Sequence, residues 1–401
     1  MIDFASASTR AVNARRGVLE CLELAYDGGP ATPSLLLVNA AVGHDLTALS
    51  HELKAECPDA RVLAASCAGV VGREGPGESI HDMAIMGLSG EGFTIAHVDG
   101  LFGHTSFSKG VELGQILLGA PQPVRMIYLL ASGIDIANEQ LIAGIESFLG
   151  PQVTIFGATS SDQMQGVATF QAIDAETFQH SAFAVGIWDP TLEVDTQATH
   201  GFVAVGDPMV VTAADGNRIS QLDGRPAWSV FLERMGLPSD ATESDTIPIG
   251  ALAEPLSPAL ADEYGNRHIL RAVTHHSPAG EIIYATECAV GTELWLTVRD
   301  EDLIFRDMDR MLTAMVGRHP GQQPVAVFQA DCLARGRRLF NRVMKEELVH
   351  RIQAPFTSAA GVPPWFGMYG FGEYARLGGR NAYHNYTTAL AALYRTAAEG
   401  N

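Results

Sequence analysis

The stretch RMIYLLASGIDIANEQLIAGIESFLGPQVTIFGATSSD, residues 125–162, decides the fold that we expect for this chain. An apolar run of strand length comes first, then a loop with an aspartate, then apolar residues at helical spacing. A second apolar run follows and ends in a loop of glycine and hydroxyl residues. Because a helix between two strands implies a crossover connection, the stretch predicts one strand–helix–strand unit of an α/β fold.

The same order occurs twice more along the chain. SLLLVNA (34–40) and ARVLAASCAG (60–69) flank one helical pattern, and PVAVFQADC (324–332) and PWFGMYGFGE (364–373) flank LARGRRLFNRVMKEELVHRI. Each copy continues into a segment that opens on a histidine, namely His81, His180 or His384. The pattern predicts an α/β fold, or a mixed α+β fold, built from repeated strand–helix–strand–strand units.

A segment of different character separates the second and third copies. Residues 200–237 alternate like paired strands with a turn at Asp215-Gly216, and a turn at Asp223-Gly224 leads into a helix with Pro226 near its first turn. We therefore expect two packed, sheet-containing domains. Their predicted bounds are a lead-in of residues 1–30, an N-terminal domain of residues 31–228 and a C-terminal domain of residues 229–395.

Composition excludes several classes of partner. The formal net charge is −20, and a surface this acidic repels phosphate backbones and anionic headgroups. No apolar run approaches the roughly 18 residues of a membrane span, and the first residues lack the apolar core of a secretion signal. The five cysteines are scattered, against a disulfide framework or a zinc ribbon. We expect a cytoplasmic protein that binds no nucleic acid and does not insert into membranes.

Three segments carry a family resemblance: LDGRPAWSVF (222–231), FQADCLARGRRLF (328–340) and GMYGFGEYARLGGRNAYHNYTTALAAL (367–393). Together they resemble the FIST family with its N-terminal and C-terminal domains, over residues 30 to 390. The most specific part is Asp331-Cys332…Arg335-Gly336, followed by Gly372-Glu373 and His384-Asn385-Tyr386-Thr387. In the loop SCAGVV (66–71) the chain departs from the family, because Cys67 and Val70 stand where Thr and Glu are usual.

The resemblance implies a sensory input protein that binds a small ligand. FIST proteins are proposed sensors of small molecules such as amino acids, and the NosP subgroup binds haem and senses nitric oxide beside a histidine kinase or a cyclic-di-GMP enzyme. The chain carries no recognisable kinase, receiver or cyclase segment, so we expect it to act on such a partner in trans. Two versions stay open: a non-covalent haem b sensor and a metal-free sensor of amino-acid-like metabolites.

The candidate ligand residues come from the C-terminal motif. Arg335 can hold a ligand carboxylate with its forked guanidinium, and Glu373 can accept an amino group, although the two can equally serve structural ion pairs. Cationic neighbours Arg335, Arg337 and Arg338 would lower the thiol pKa of Cys332, unless that residue packs as a small hydrophobe. The carboxyl ends of sheet strands should bring these residues together. The predicted ligand site comprises Cys332, Arg335, Glu373, His384, Asn385 and Tyr386.

Two further hypotheses concern haem ligation and hydrolysis. A haem iron needs an axial donor such as a neutral histidine, and the candidates are His200, His384, His180 and His81. A histidine held by loop hydrogen bonds is the alternative for each of them. A hydrolase would need a nucleophile, and Ser66-Cys67 and Ser160-Ser161 follow strands, but neither pair lies in a G-x-S-x-G motif. No catalytic residue is therefore predicted.

Overall fold

A computed structural model describes residues 1–163, 165–335 and 342–396, with side chains in the last range from residue 345. The chain has a mixed α/β fold with three six-stranded sheets and one eight-stranded sheet. The predicted fold class, with its repeated strand–helix–strand–strand units, is confirmed. Each unit is larger than predicted, because a further strand and helix precede it and a short hairpin is inserted before its last strand.

The first two units contain the same elements in the same order. Unit 1 consists of β1 (Ile2–Thr9), α1 (Ala14–Ala25), β2 (Leu35–Ala41), α2 (Leu46–Glu56), β3 (Arg61–Cys67), β4 (Val70–Gly72), β5 (Gly75–Gly77) and β6 (Met83–Gly90). Unit 2 consists of β7 (Phe93–Asp99), α3 (Ser106–Leu118), β8 (Met126–Ala131), α4 (Asn138–Leu149), β9 (Thr154–Thr159), β10 (Gln171–Ile173), β11 (Glu176–Phe178) and β12 (Ser181–Ile187).

Unit 3 opens with β13 (Leu192–Thr199) and is interrupted by an inserted subdomain. The insertion contains β14 (Phe202–Asp215), β15 (Arg218–Leu222), β16 (Arg225–Pro226), α5 (Ala227–Met235), α6 (Glu243–Thr246), β17 (Leu252–Pro255), α7 (Pro258–Tyr264), β18 (His268–Arg271), β19 (Val273–His276), β20 (Ile282–Tyr284) and β21 (Glu293–Arg299). Unit 3 then resumes with α8 (Glu301–Arg318), β22 (Ala326–Cys332), α9 (Arg342–Gln353), β23 (Trp365–Gly370), β24 (Glu373–Leu377), β25 (Arg380–His384) and β26 (Thr388–Arg395).

Local sequence explains where the principal elements form. All seven residues of β2 are buried, as expected for a central strand covered on both faces. Helix α2 begins at Leu46 because the Asp45 carboxylate accepts the backbone N–H groups of Thr47 and Ala48, at 2.8 and 3.1 Å. In the insertion, the predicted turn at Asp215-Gly216 joins β14 to β15, and Pro226 is the N-cap of α5.

Each unit builds most of one sheet and completes another. The central pairs β2–β3, β8–β9 and β22–β23 are parallel, and β6, β12 and β26 lie antiparallel beside them. The hairpin of each unit adds to a different sheet: β4 pairs with β23, β10 with β3 and β24 with β9. The three units therefore exchange hairpins in a closed ring with approximate threefold symmetry.

Backbone hydrogen bonds close this ring where β3, β9 and β23 end. The N–H groups of Ala68, Ser161 and Phe371 donate to the carbonyls of Tyr369, Ser66 and Thr159, at 3.1, 3.1 and 3.3 Å. A second set runs the opposite way: the N–H groups of Tyr369, Ser66 and Thr159 donate to the carbonyls of Gly69, Phe170 and Gly372, at 2.9, 2.8 and 2.9 Å. Six bonds in two equivalent sets thus tie every unit to both others.

These bonds and the strand registers define equivalent positions in the three units. Ser66, Thr159 and Tyr369 are equivalent, because they pair with Ala40, Ala131 and Asp331 in the parallel strands. Along the chain from these residues, and leaving out the longer loop of unit 2, the hairpins begin at the equivalent residues Val70, Gln171 and Glu373. The units differ in loop length: residues 162–169 separate Ser161 from Phe170 in unit 2, whereas the corresponding residues are adjacent in units 1 and 3.

The insertion forms a sheet of its own, whereas the start of the chain belongs to unit 1. The inserted sheet has the order β18-β17-β21-β14-β15-β20-β19, with β16 beside β15. Residues 1–30, predicted as a lead-in, contain β1 and α1, and β1 pairs along its length with β6. The predicted limits of the two domains stay a prediction. Within the described residues, none of the helices combines the length and the apolar character needed to cross a membrane.

We expect the substitution G133A to destabilise the ring. A Cβ atom at Gly133 would lie 1.9 Å from the Ser160 carbonyl oxygen and 2.6 Å from the Phe371 ring, so units 2 and 3 would have to move apart. Overpacking of this kind costs about 1–3 kcal/mol or more in unfolding free energy. Urea unfolding measures it. G317A is the control, because nothing lies within 4 Å of that exposed helical glycine; equal stability of both variants would contradict the prediction.

Candidate functional site

Glu373 begins β24 and lies at the edge of the closed ring. Its side chain is fully buried, and Oε2 accepts hydrogen bonds from the Thr387 hydroxyl at 2.5 Å and from the Thr387 N–H at 3.3 Å. Oε1 is buried and has no hydrogen-bond partner among the described residues. Burial raises the pKa of the Glu373 carboxyl well above its ordinary value, and the nearby Asp331 carboxylate raises it further. The folded structure therefore favours the protonated form of Glu373 more strongly than the unfolded chain does.

The equivalent position in unit 2 explains why Oε1 is left without a partner. Gln171 accepts from the Ser181 hydroxyl at 3.0 Å, just as Glu373 accepts from Thr387. The Gln171 Nε2 group, however, also donates to Ser160 Oγ at 2.8 Å. The residue of unit 3 that corresponds to Ser160 is Gly370, which has no side chain. Oε1 of Glu373 consequently has no counterpart of the hydrogen bond that Gln171 Nε2 donates to Ser160.

Arg335 follows β22, and its guanidinium group bonds to other residues in the protein interior. It is fully buried; Nε donates to the His200 carbonyl at 3.1 Å, Nη1 donates to Thr388 Oγ1, and Nη1 lies 3.5 Å from Asp331 Oδ1. Asp331 Oδ2 accepts from Thr388 at 2.8 Å. Nη2 has no hydrogen-bond partner among the residues that the structure describes. Removal of either partner would leave the charge of the other buried and unpaired. Such a change would destabilise the fold strongly.

The structure also places the other predicted ligand residues at this edge. Cys332 Sγ and Asn385 Nδ2 both approach the Phe371 carbonyl, at 3.8 and 3.3 Å, and the Asn385 Oδ1 atom accepts from the Ala272 N–H of the inserted sheet. Tyr386 has a positive φ of 56° and directs its hydroxyl to the Gly250 carbonyl. Gly336, Arg337 and Arg338 lie outside the described residues.

Cys332 does not have the properties of a reactive thiol. The side chain is buried, and burial raises its pKa well above the ordinary value, with Glu373 adding to the effect. Of the two alternatives for this residue, the lowered thiol pKa is contradicted, because desolvation raises the pKa more than the hydrogen bonds from the backbone of Tyr386 and Ala334 lower it. The alternative, that Cys332 packs as a small buried residue, fits its contacts with Ala334, Tyr386 and neighbours in one apolar cluster.

Two of the candidate haem ligands are the fully buried His200 and His384. His200 Nε2 donates to the His268 carbonyl at 2.9 Å and Nδ1 accepts from the Phe202 N–H at 2.9 Å. His384 lies near Tyr264, with Nδ1 3.3 Å from its hydroxyl and Nε2 3.4 Å from the Ala375 carbonyl. Burial lowers the pKa of each to about 3, so both are neutral. With both ring nitrogens engaged, neither residue fits an axial haem ligand as it stands.

His81 and His180 lie apart from this cluster. The repeat predicted similar places for them and for His384, and each does precede the last strand of its unit. His81 lies beside His44, and His180 packs against Phe102 with ring centroids 4.4 Å apart. In both histidines Nδ1 is buried without a hydrogen-bond partner among described residues. These two retain a nitrogen that an iron could use.

The hydroxyl groups proposed for a hydrolase serve the ring. Ser161 Oγ donates to the Tyr369 carbonyl at 2.6 Å, and Ser66 Oγ donates to the Ser161 carbonyl at 3.2 Å. Ser160 accepts from Gln171 as described above. Sequence reasoning missed Tyr264, Thr388 and the Gln171–Ser181 pair. Thr388 adjoins the HNYT motif and could have been included, whereas no local pattern marks Tyr264, which the insertion supplies.

Comparison with known protein families places the chain. The FIST N domain matches residues 34–225, and the FIST C domain matches residues 227–376. The chain belongs to the FIST family. FIST domains are sensory domains that bind small ligands. In this FIST protein, Val70 is equivalent by symmetry to Glu373 and Gln171, so unit 1 lacks the polar side chain that the other two units have at the start of the hairpin.

The relatives are distant. An uncharacterized protein of Mycobacterium bovis is 28% identical over 211 residues, which make up 52% of each chain, so this chain spans about half the length of that relative. An uncharacterized protein of Mycobacterium tuberculosis is 26% identical over 268 residues, or 66% of each chain. A cyanuric acid hydrolase from A. caulinodans is 7% identical with a TM-score of 0.38, over 99% of this chain and 100% of that one.

Replacement of Glu373 by Gln should change how stability depends on pH. A carboxyl with a raised pKa keeps its proton in the folded state, so stability falls as pH rises from the unfolded value, about 4.3, to the raised value. E373Q removes this loss, roughly 1 kcal/mol per pH unit within that window. The difference between the urea-unfolding curves of the two proteins across pH measures the contribution of Glu373 together with its coupling to Asp331 and Tyr264.

The matched control is E112Q, which removes a carboxylate from an exposed helical pair with Lys109. We expect its stability to run parallel to that of the wild type across the same pH range. Parallel curves for E373Q as well would mean that Glu373 is ionised in the folded protein. Gln171, which occupies the equivalent position, indicates that a glutamine at 373 is compatible with the fold.

Proposed function

We propose that this FIST protein is a sensor that binds a small amino-acid-like ligand at Glu373 and Arg335 and signals through a separate protein. The observation that supports the proposal is the pair of unsatisfied buried atoms at one edge of the ring. Glu373 Oε1 and Arg335 Nη2 each lack a hydrogen-bond partner among the described residues, although buried polar atoms are nearly always paired.

The two atoms differ in the chemistry that they accept. Arg335 Nη2 is a cationic donor and suits a carboxylate oxygen, whereas Glu373 Oε1 suits the donor group of an amine. An ammonium group beside Glu373 would favour its ionised form, so binding would lower the pKa that burial raises. Cys332, His384, Asn385 and Tyr386 would act as positioning residues, because their contacts hold the loops around Phe371 and Tyr264.

The partner is proposed from the kind of domain rather than from a contact. FIST domains are sensory domains, and we propose that this one acts on a histidine kinase or a cyclic-di-GMP enzyme in the cytoplasm. Asn385 and Tyr386 join the ligand edge to the inserted sheet by hydrogen bonds to Ala272 and Gly250. That sheet is therefore the element through which a change at Glu373 would reach the surface.

Ligand binding is tested with a panel of free amino acids and their decarboxylated and deaminated analogues, screened by thermal shift and measured by calorimetry. We expect a zwitterion to bind and each analogue to bind less well. E373Q should weaken binding by about 10- to 100-fold, the value of a charge-assisted hydrogen bond. E112Q should leave affinity unchanged. Unaltered affinity in folded E373Q, or no binding by any zwitterion, would contradict the proposal.

A haem sensor is the second candidate, and it rests on the unpartnered Nδ1 atoms of His81 and His180. The chemistry that haem would supply is reversible binding of nitric oxide at its iron. We expect this version to give a Soret band when the protein is mixed with haemin, with a shift after nitric oxide is added to the reduced form. The band should weaken in H81A or H180A, with H51A as the control. Absence of a Soret band would remove this candidate.

A further inference from the structure

A cavity of about 400 Å³ lies where β22 and β23 begin, at the opposite end of the sheet from Glu373. Unit 1 supplies Phe4 and Arg73, and unit 3 supplies Val325, Phe356, Val362 and a run of prolines. The polar residues of the lining are Asp3, Arg73, Gln323, Ser358 and Arg395, and a volume of this size lies in the range of small-molecule sites. The strands between the two places have six and seven residues, so the cavity is separated from Glu373 by roughly 20 Å.

Arg73 is the polar group that distinguishes this cavity. It lies in the turn of the β4–β5 hairpin, and its Nε donates to the Val362 carbonyl at 3.1 Å. Among the described residues, this contact is the hydrogen bond that the guanidinium makes, and no carboxylate forms an ion pair with it. In a chain whose formal net charge is −20, an arginine that lines a cavity without a carboxylate partner requires an explanation.

The equivalent positions in the other units show what Arg73 lacks. Three residues into each hairpin, Arg73 corresponds to Asp174 in unit 2 and Arg376 in unit 3. Asp174 pairs with Arg61 at 2.7 Å. Arg376 donates to the carbonyls of Pro151, Gln152 and Gly379. Both are satisfied by protein groups, whereas Arg73, at the junction of units 1 and 3, has only the Nε contact with Val362 among the described residues.

The remaining charged groups at the cavity favour a single negative charge in the ligand. Arg395 is already occupied, because it pairs with the buried Asp189 at 3.0 Å and lies 3.6 Å from Asp3. Asp3 is 84% exposed and can turn toward solvent. Arg73 is therefore the cation that remains available, and a carboxylate matches its two parallel N–H groups in geometry as well as in charge.

We propose that this cavity binds a small carboxylic acid with an apolar body, whose carboxylate pairs with Arg73 and whose body packs on Phe4, Phe356 and Val362. The site is separate from the one at Glu373 and takes a different chemical class, an apolar monocarboxylate instead of a zwitterion. It joins units 1 and 3 at the end of the sheet where the ring bonds do not reach, so occupation stabilises that junction.

The test uses the full chain and calorimetric titration with 3-phenylpropionate and octanoate, each compared with its own amide. We expect the acids to bind and the amides to bind at least tenfold more weakly. R73M keeps the apolar stem of the side chain and should lower affinity for the acids about 10- to 100-fold, as expected for loss of a charge-assisted pair. R61M is the matched control, because it breaks the ion pair at the equivalent junction of units 1 and 2 and should leave affinity unchanged.

A second variant, V362W, fills the cavity without altering charge and should abolish binding while the thermal unfolding temperature stays near that of the wild type. The inference is overturned if neither acid binds at about 10 mM, if acids and amides bind equally, or if folded R73M or V362W keeps wild-type affinity. E373Q separates the two sites. Loss of binding in E373Q but not in R73M would place the acids at Glu373 and refute this inference while leaving the proposed function intact.

Discussion

Six backbone hydrogen bonds at the centre of the molecule hold the three units together, and the rest of the fold depends on them. Each set joins the residues that follow one parallel strand to those that follow another, so no unit can satisfy its own strand ends. Backbone groups buried at this depth must be paired, which makes the three units mutually dependent. The two sequence domains of the FIST family therefore form one cooperative body, with hairpin β4–β5 of the first completing a sheet of the second.

Approximate symmetry makes the departures from it informative. Where units 2 and 3 carry the same chemistry, as in the Gln171–Ser181 and Glu373–Thr387 pairs, packing alone accounts for the residues. Where they differ, Gly370 of unit 3 stands at the position of Ser160 in unit 2. Oε1 of Glu373 therefore has no hydrogen-bond partner among the described residues, whereas Nε2 of Gln171 donates to Ser160. Leaving such an atom buried costs about 1–3 kcal/mol, and a cost of that size needs a compensating role.

Much of the fold could be predicted from sequence because its central strands are continuous apolar runs. SLLLVNA and RMIYLLA identify buried parallel strands, and the helical spacing between them gives the crossovers. The ring could not be predicted, because β4, β5, β10 and β11 have three residues each and show no periodicity. The start of unit 3 was hidden as well, although its later part showed the repeat, since the insertion separates β13 from the rest of the unit.

The candidate site was partly predictable for a similar reason. Strand ends gather at one edge, so Cys332, Arg335 and Glu373 could be placed together from sequence. Their electrostatic state could not, because it depends on burial: desolvation raises the carboxyl pKa of Glu373 and the thiol pKa of Cys332, and it lowers the pKa of His384 to about 3. A sequence shows that a residue can ionise, whereas only the packing around it shows whether it does.

The position of Glu373 also determines what a bound ligand could move. Glu373 is the first residue of β24 and pairs with Ala158 of β9, while the carbonyl of the preceding Gly372 accepts one of the six ring bonds from Thr159. Ionisation of Glu373 by a ligand would therefore act directly on the contact between units 2 and 3. Packed interfaces respond to such a change by shifting between discrete arrangements. A signal that starts at one carboxyl group would in this way be carried by the closure of the whole ring.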